Sequence, residues 1–83
     1  MNKRVVLSTE AKADLARLDR PVAIRILAAI QRFASTGAGN VQGLHGIHPP
    51  EFRLRVGAWR VRFHDHGDWI DVFRVRNRHD AYQ

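Results

Sequence analysis

The feature that most constrains this chain is a pair of strictly alternating runs, residues 52–56 and 59–64, separated by Gly57-Ala58. In each run every second residue is apolar, and the residues between them are arginine or histidine. A period of two is typical of a strand with one buried face. A two-residue link with glycine first fits a hairpin turn. The pattern therefore predicts an antiparallel hairpin whose apolar face packs against another layer of the protein.

The other face of this hairpin carries a concentration of arginine. Neighbouring strands lie about 4.8 Å apart and alternate residues lie about 6.8 Å apart along a strand, so these guanidinium groups converge. Like charges this close cost stability unless an anion or a carboxylate compensates them. Phosphate suits the forked guanidinium, whereas pairing with nearby acids is the competing interpretation. The arginines are Arg53, Arg55, Arg60 and Arg62, and the acids are Glu51, Asp65, Asp68 and Asp71.

The N-terminal half predicts the layer that covers the hairpin. A short strand over residues 3–7 precedes a first helix capped by Ser8 or Thr9, because a short side-chain oxygen accepts from free backbone N–H groups. A second helix restarts at Asp19-Arg20-Pro21 and ends near Thr36-Gly37, where glycine suits a left-handed cap. The apolar side of this second helix comprises Ala23, Ile26, Leu27, Ile30 and Phe33.

The C-terminal half is predicted to be a loop followed by three strands. Residues 37–51 contain several glycines and Pro49-Pro50, which argue against regular structure. After the hairpin, a turn over residues 65–68 leads to a last strand over residues 69–76, whose weaker alternation fits a central strand buried on both faces. The order β-α-α-β-β-β predicts one α+β domain over residues 1–83, with a helical hairpin packed on a small antiparallel sheet.

Charge and composition narrow the class of function. The net charge is +6 and twelve of the fourteen basic residues are arginine, which favours a polyanion or an acidic protein as partner. Cysteine is absent, so disulfides and thiolate ligands are excluded. The pairs His45-x-x-His48 and His64-x-His66 have no clear acidic third ligand, and no metal site is expected. Since the chain has neither a long apolar run nor a leader-like start, we expect a cytoplasmic protein without membrane contact.

Four stretches of the sequence together resemble a known family. They are Gly43-Leu44-His45-Gly46, the run FRLRVGAWRV from Phe52 to Val61, Val75-Arg76-Asn77-Arg78, and the closing Tyr82. Together they look like the RelE branch of the RelE/ParE toxins of type II toxin–antitoxin systems, and the resemblance covers nearly the whole chain. It implies an mRNA interferase, which is a ribosome-dependent endoribonuclease that cuts mRNA in the ribosomal A site and so inhibits translation.

The resemblance also implies a chemistry in which the ribose 2′-hydroxyl attacks the adjacent phosphate without metal or another cofactor. Its basic positions fall on Arg53, Arg55, Arg60 and Arg78, and its C-terminal aromatic falls on Tyr82. Fixed cations stabilise the charge that the phosphorane gains, a role that suits Arg60 and Arg78. Arg53 and Arg55 then hold the flanking backbone or the leaving side. Tyr82 stacks on a base or assists proton transfer.

The general base of this reaction is left open. Some relatives carry lysine where this chain has Arg53 and Arg55, and an arginine stays charged. His79 and His64 are the candidates, because imidazole titrates near neutrality. Catalysis by geometry and charge alone is the alternative. Arg62 and His64 are further predicted contacts to RNA.

Two other functions fit the same fold. The ParE branch poisons DNA gyrase through protein contacts and does not need the full set of arginines and tyrosine, which favours the nuclease here. A catalytically inactive module that binds RNA or protein is the second alternative. Since such toxins are encoded beside an antitoxin, the expected partners are a cognate antitoxin, mRNA and the ribosome. A basic face favours an acidic or amphipathic antitoxin segment.

Overall fold

The structure, a computed structural model, describes residues 2–44 and 46–79, and this part of the chain forms two helices and five strands. In chain order they are β1 (Arg4–Leu7), α1 (Thr9–Ala16), α2 (Arg20–Thr36), β2 (Asn40–Leu44), β3 (Glu51–Val56), β4 (Trp59–Asp65) and β5 (Trp69–Asn77). The helices share one hydrophobic core with the sheet, which confirms the α+β class and the helical layer. None of the helices described is both long enough and apolar enough to cross a membrane.

Capping groups set the helix ends, as the sequence predicts. Ser8 is the N-cap of α1, and its Oγ accepts a hydrogen bond from the Ala11 N–H at 3.0 Å. The second helix has a proline in its first turn and ends at Gly37, whose φ of 79° gives a left-handed cap. Leu27 does not belong to the buried side of α2, because it is 41% exposed. It lies about 100° around the helix from Ile26, at the rim of the buried stripe. The buried members of that stripe are Ile26, Ile30, Phe33 and Ala34.

The sheet has the strand order β1-β5-β4-β3-β2. Three of its pairings are antiparallel, but β1 runs parallel to β5, so the sheet is mixed rather than wholly antiparallel. The prediction of a loop over residues 37–51 is wrong for Asn40–Leu44, which form the edge strand β2 beside β3. An edge strand pairs on one side only and tolerates glycine, so the glycines of this segment do not prevent strand formation.

The central hairpin forms as predicted and packs its apolar face on the helices. Val56 pairs with Trp59 across Gly57-Ala58, and Gly57 has a φ of 59°. Phe63 contacts Phe33 of α2 with a centroid separation of 5.2 Å, and Trp59 packs against the core as expected. The buried apolar residues of the sheet are Leu54, Val61, Phe63, Ile70, Val72 and Val75.

A β-bulge explains the weaker alternation of the last strand. Arg62 pairs with Arg74 whereas Phe63 pairs with Val72, so Phe73 has no partner on β4. The strand is central, as predicted, but the positions between its buried residues are half-buried or exposed, so burial on both faces is not the explanation. The extra residue shifts the alternation, so that the buried positions of β5 are spaced two and then three residues apart.

One buried carboxylate joins α1 to this bulge. Asp14 is 5% exposed, and its Oδ2 accepts the Val75 N–H at 2.8 Å. The same oxygen lies 3.2 Å from Arg74 Nε, and Arg17 Nη1 lies 3.8 Å from the other carboxylate oxygen. The carboxylate thus satisfies a backbone donor of β5 two residues after the bulge and compensates a neighbouring cation.

Asp65 links the N-terminal segment to the end of β4. Lys3 Nζ donates to its Oδ1 at 2.8 Å, and the Gly67 N–H donates to the same oxygen at 2.9 Å. Partial burial alone raises the pKa of Asp65, but these two hydrogen bonds and the charge of Lys3 outweigh burial and hold the pKa below its ordinary value of 3.8.

We expect Asp65→Asn to lower the free energy of unfolding by about 1 kcal/mol at pH 7, because a partly exposed ion pair contributes little more. A carboxylate whose pKa is lowered by folding stabilises the protein above its unfolded value, and this stabilisation is lost as the pH falls through the folded value. The stabilities of wild type and variant in urea titrations should therefore begin to converge as the pH falls below about 4 and meet below the folded pKa of Asp65. A difference that stayed constant down to pH 2 would contradict the assignment.

Gly39, between α2 and β2, combines two constraints on its backbone. Its φ is +149°, and an added Cβ would lie 2.9 Å from Leu54 Cδ1. We expect Gly39→Ala to cost about 2 kcal/mol in thermal or urea unfolding, since both strain and a clash oppose it. Gly57→Ala is the control, because Gly57 has a φ of +59° with open space around it and should cost about 1 kcal/mol. Equal losses would show that the clash with Leu54 is relieved without cost.

Candidate nucleic-acid interface

The predicted arginine face is present on the side of the sheet away from the helices. Arg53 lies directly opposite Arg62, and Arg55 lies directly opposite Arg60. Directly opposed residues of an antiparallel pair project from the same face. The strands β3 and β4 therefore bring these four sequence-predicted residues together, as the alternation requires.

The four arginines differ in how their charge is compensated. Arg62 makes a bidentate ion pair with Glu51, in which Nε donates to Oε2 at 3.1 Å and Nη2 donates to Oε1 at 3.0 Å. Glu51 is buried, and the Arg62 guanidinium also lies 5.1 Å from the centre of the Phe73 ring. Pairing with an acid, the competing interpretation from the sequence, is thus correct for Arg62. Its predicted contact to RNA stays a prediction.

Arg53, Arg55 and Arg78 have a different environment. Within the described ranges, no carboxylate lies within 4.0 Å of their guanidinium nitrogens. Arg53 Nε is buried and finds no hydrogen-bond partner in the described part of the chain. A buried donor without an acceptor costs free energy. Among the described residues, these three guanidinium groups are therefore the candidates to bind an anion.

Arg78 is delivered to the hairpin turn by the backbone. Its N–H donates to the Ala58 carbonyl oxygen at 2.7 Å, which extends the contact of β5 with β4 by one residue beyond the strand. Arg55, Arg60 and Arg78 consequently line one depression of about 110 Å³ together with Gly57 and Ala58. Three cations around one small concavity match the requirements of a phosphate group.

A second depression of about 120 Å³ lies beside the first. It shares Arg55 and Arg60 with the first depression and adds Arg53 from β3. Its remaining lining residues are Asn40 and Gln42 of β2, which the sequence interpretation missed because it assigned them to a loop. The alternation of Asn40 and Gln42 around Val41 was the available signal.

The two candidate bases lie in different places. His64 stacks on Phe73 with a centroid separation of 4.6 Å, and its Nδ1 is 4.0 Å from an Asp71 oxygen. Four residues along β4 separate His64 from Arg60, a distance of about 14 Å in a strand, so the structure does not bring His64 to the turn. His79 is exposed directly after Arg78, and its N–H donates to Asn77 Oδ1 at 3.0 Å.

Some predicted positions lie outside the described residues. They include Tyr82, the predicted aromatic contact, and His45 of the first histidine pair. In the ranges that are described, no three histidine or acidic side chains group closely enough to hold a metal ion.

Solved structures of other proteins share this fold. A chain of the RelB–RelE antitoxin–toxin complex from Methanococcus jannaschii matches with a TM-score of 0.76 and 22% identity, covering 93% of this chain and 94% of that chain. A chain of the archaeal RelE–RelB complex from Pyrococcus horikoshii OT3 matches with a TM-score of 0.75 and 20% identity, covering 94% and 97%. The toxin–antitoxin complex RelBE2 from Mycobacterium tuberculosis gives 0.69 and 18%, covering 93% and 99%. At these identities the likeness establishes the fold.

The sequence itself matches a family model. No curated protein sequence matches this chain. The model of the ParE toxin of type II toxin–antitoxin systems, parDE, matches residues 5–82, almost the whole chain. The resemblance to the RelE/ParE toxins is confirmed by this match and by the fold. The chain therefore belongs to the ParE toxin family of type II toxin–antitoxin systems, within the RelE/ParE superfamily.

Proposed function

We propose that this chain is a toxin that cleaves messenger RNA on the ribosome. The observation that carries the proposal is the depression at the hairpin turn, where Arg55, Arg60 and Arg78 surround a space of about 110 Å³. Guanidinium groups bind phosphate oxygens in a forked geometry, and clustered cations are stable when such an anion lies between them. A phosphate of the RNA backbone occupies this depression in the proposed complex.

The proposed reaction is attack of the ribose 2′-hydroxyl on the adjacent phosphate. The 2′-oxygen forms a bond to phosphorus, the bond to the 5′-oxygen of the next nucleotide breaks, and the products are a 2′,3′-cyclic phosphate and a 5′-hydroxyl. The phosphorane on this path carries more negative charge than the substrate, so fixed cations lower the barrier. Arg60 and Arg78 take this role, while Arg53 and Arg55 hold the flanking backbone.

The residue that transfers protons is chosen by its position beside the proposed phosphate site. The 2′-hydroxyl must lose a proton and the leaving 5′-oxygen must gain one. His79 follows Arg78 and is exposed, so its imidazole is the candidate to move one of these protons. Tyr82 remains the proposed aromatic contact for a base. In this scheme the arginines also align the attacking oxygen with the phosphate, and this alignment supplies the remaining rate acceleration.

We further infer that a cognate antitoxin binds this chain. The matching solved structures are complexes of RelE with RelB, which supports a partner of the same kind here. The positive charge of the arginine face suits an acidic or amphipathic segment, whose carboxylates compensate the same guanidinium groups as phosphate does.

The test is translation in vitro with mapped mRNA ends. Addition of the purified protein should produce new mRNA 3′ ends at defined positions within codons, with loss of full-length product. Naked mRNA under the same conditions should stay largely intact if the ribosome is required. Ribosome-bound mRNA that stays intact when the purified protein is in excess over ribosomes would overturn the proposal.

Inhibition of DNA gyrase is the second candidate function. The observation that favours it is the family model itself, which is that of the ParE toxin. A supercoiling assay run beside the translation assay separates the two functions. Loss of gyrase supercoiling while ribosome-bound mRNA remains intact would assign the chain to gyrase.

A further inference from the structure

We propose that Asn40 and Gln42 of the edge strand β2 form a base-reading subsite that selects which nucleotide lies next to the bound phosphate. The proposal rests on RNA being the ligand of the arginine face, as proposed above. It assigns a specificity role to a strand that the sequence interpretation placed in a loop.

The register of the sheet places both carboxamides beside the arginines. Asn40 lies directly opposite Arg55, and Gln42 lies directly opposite Arg53. Both carboxamide residues are exposed, and they line the depression of about 120 Å³ together with Arg53, Arg55 and Arg60. Since β2 is the last strand of the sheet, no further strand from residues 2–44 or 46–79 covers its outer edge.

The two depressions of the arginine face share two of their lining residues. Arg55 and Arg60 belong to both, so a phosphate held at the turn and a group held at β2 share these two side chains. The spacing from β4 to β2 across the sheet is about 10 Å. A nucleotide chain that passes from the turn towards the edge therefore places its next base over Asn40 and Gln42.

The chemistry of this second depression differs from that of the first. The first adds a further arginine to the shared pair, whereas the second adds two uncharged amides, each of which carries both donors and acceptors. A contact from an arginine to a backbone phosphate carries no sequence information. A carboxamide pairs with the edge of an unstacked base, and adenine offers a matching donor and acceptor on both its Watson–Crick and its Hoogsteen edge.

Arg53 supports the same assignment. Its Nε is buried without a hydrogen-bond partner in the described ranges, and it lines the second depression but not the first. A ligand that brings an acceptor to such a donor is bound more tightly, because the hydrogen bond removes the cost of the unpaired N–H group. A base or ribose oxygen bound between Gln42 and Arg53 supplies that acceptor once the Arg53 side chain turns to expose its Nε.

Binding of short non-cleavable RNA tests the subsite without requiring catalysis. We would measure the affinity of the full chain for fluorescent 2′-O-methyl hexanucleotides of A, C and U, at low salt where phosphate contacts are strong. We expect wild type to prefer the A hexamer by at least about fivefold, the lower bound for one bidentate pair. Asn40→Ala and Gln42→Ala should each reduce this preference, and the double variant should abolish it while binding of the C hexamer changes little.

Gln31→Ala provides the matched control. Gln31 is an exposed carboxamide on α2, in the helical layer, and its removal should leave both affinity and preference unchanged. In the translation assay, the single and double variants of Asn40 and Gln42 should redistribute the cleavage sites among codons without eliminating cleavage.

The outcomes separate the subsite from the proposed function. A preference that survives in the double variant, wild type that binds all three hexamers equally, or no measurable binding of any hexamer overturns the subsite, even if ribosome-bound mRNA is cut. A preference for another base that the double variant abolishes supports the subsite and replaces adenine as its ligand. Base preference lost in the double variant, with no cleavage of mRNA by wild type, supports the subsite and overturns the nuclease proposal.

Discussion

Arg78→Ala is expected to slow cleavage of ribosome-bound mRNA by about 10²–10³-fold, the usual effect of removing one fixed donor that stabilises transition-state charge. Arg78 is exposed, and the contact that places it is its backbone N–H to the Ala58 carbonyl. Alanine keeps that contact, so the variant should fold as wild type does. Single-turnover cleavage of a defined stalled ribosome complex measures the chemical step directly.

Two further variants separate charge from position. Arg25→Ala removes the same charge from the exposed surface of α2 and should change the rate less than about threefold, since screening weakens distant charges. Arg78→Lys keeps the charge but loses the forked geometry, and it should recover only part of the rate. Full activity of Arg78→Ala would remove Arg78 from the proposed mechanism, even if mRNA cleavage itself were established.

Arg60→Ala should be at least as damaging, since Arg60 lines both depressions. If Arg60 and Arg78 act on the same phosphate, the double variant should be little slower than the slower single variant. Losses that multiply would mean that the two arginines act on different groups of the RNA.

The sequence predicts the central hairpin and its arginine face well because a single rule decides both. Alternation places Arg53 and Arg55 on one face, and the two-residue turn at Gly57 fixes the register that sets them opposite Arg62 and Arg60. The helix ends follow from local capping groups such as Ser8 and Gly37. Local features of this kind are visible within a few residues of sequence.

The features that the sequence does not predict depend on contacts between distant segments. The parallel pairing of β1 with β5 joins residues more than sixty positions apart. Strand β2 is stabilised by its neighbour β3, although its glycines weaken the local signal. Whether Arg62 pairs with Glu51 or binds phosphate depends on the rotamers of both side chains. The sequence did not predict a role for Asn40 and Gln42, because it did not predict the strand that carries them.

Asp14→Ala is expected to have the largest effect on stability, a loss of about 3 kcal/mol in the free energy of unfolding. The Asp14 side chain is 4% exposed, and its loss leaves the Val75 N–H without its acceptor. It also leaves Arg74, whose side chain is 26% exposed, without the carboxylate beside its Nε. Removing one partner of such a buried pair typically costs about 3–5 kcal/mol, and the partial exposure of Arg74 favours the lower end. For a domain of this size that is a large part of the total stability.

Asp14→Asn distinguishes the two contributions, because the amide oxygen still accepts the Val75 N–H while the negative charge beside Arg74 is lost. Urea unfolding should therefore place this variant between wild type and Asp14→Ala. Asp19→Ala is the matched control, since Asp19 is exposed and makes no side-chain capping bond, and its effect should stay within about 0.5 kcal/mol. Asp14 contacts Arg74 and Val75, which directly follow the bulge residue Phe73 in the stretch of β5 that leads to Arg78. If these contacts fix the register of β5 and so position Arg78 for the proposed reaction, the folded fraction of Asp14→Ala should cleave mRNA more slowly than wild type. Cleavage at the wild-type rate per folded molecule would show that Asp14 stabilises the domain without positioning Arg78.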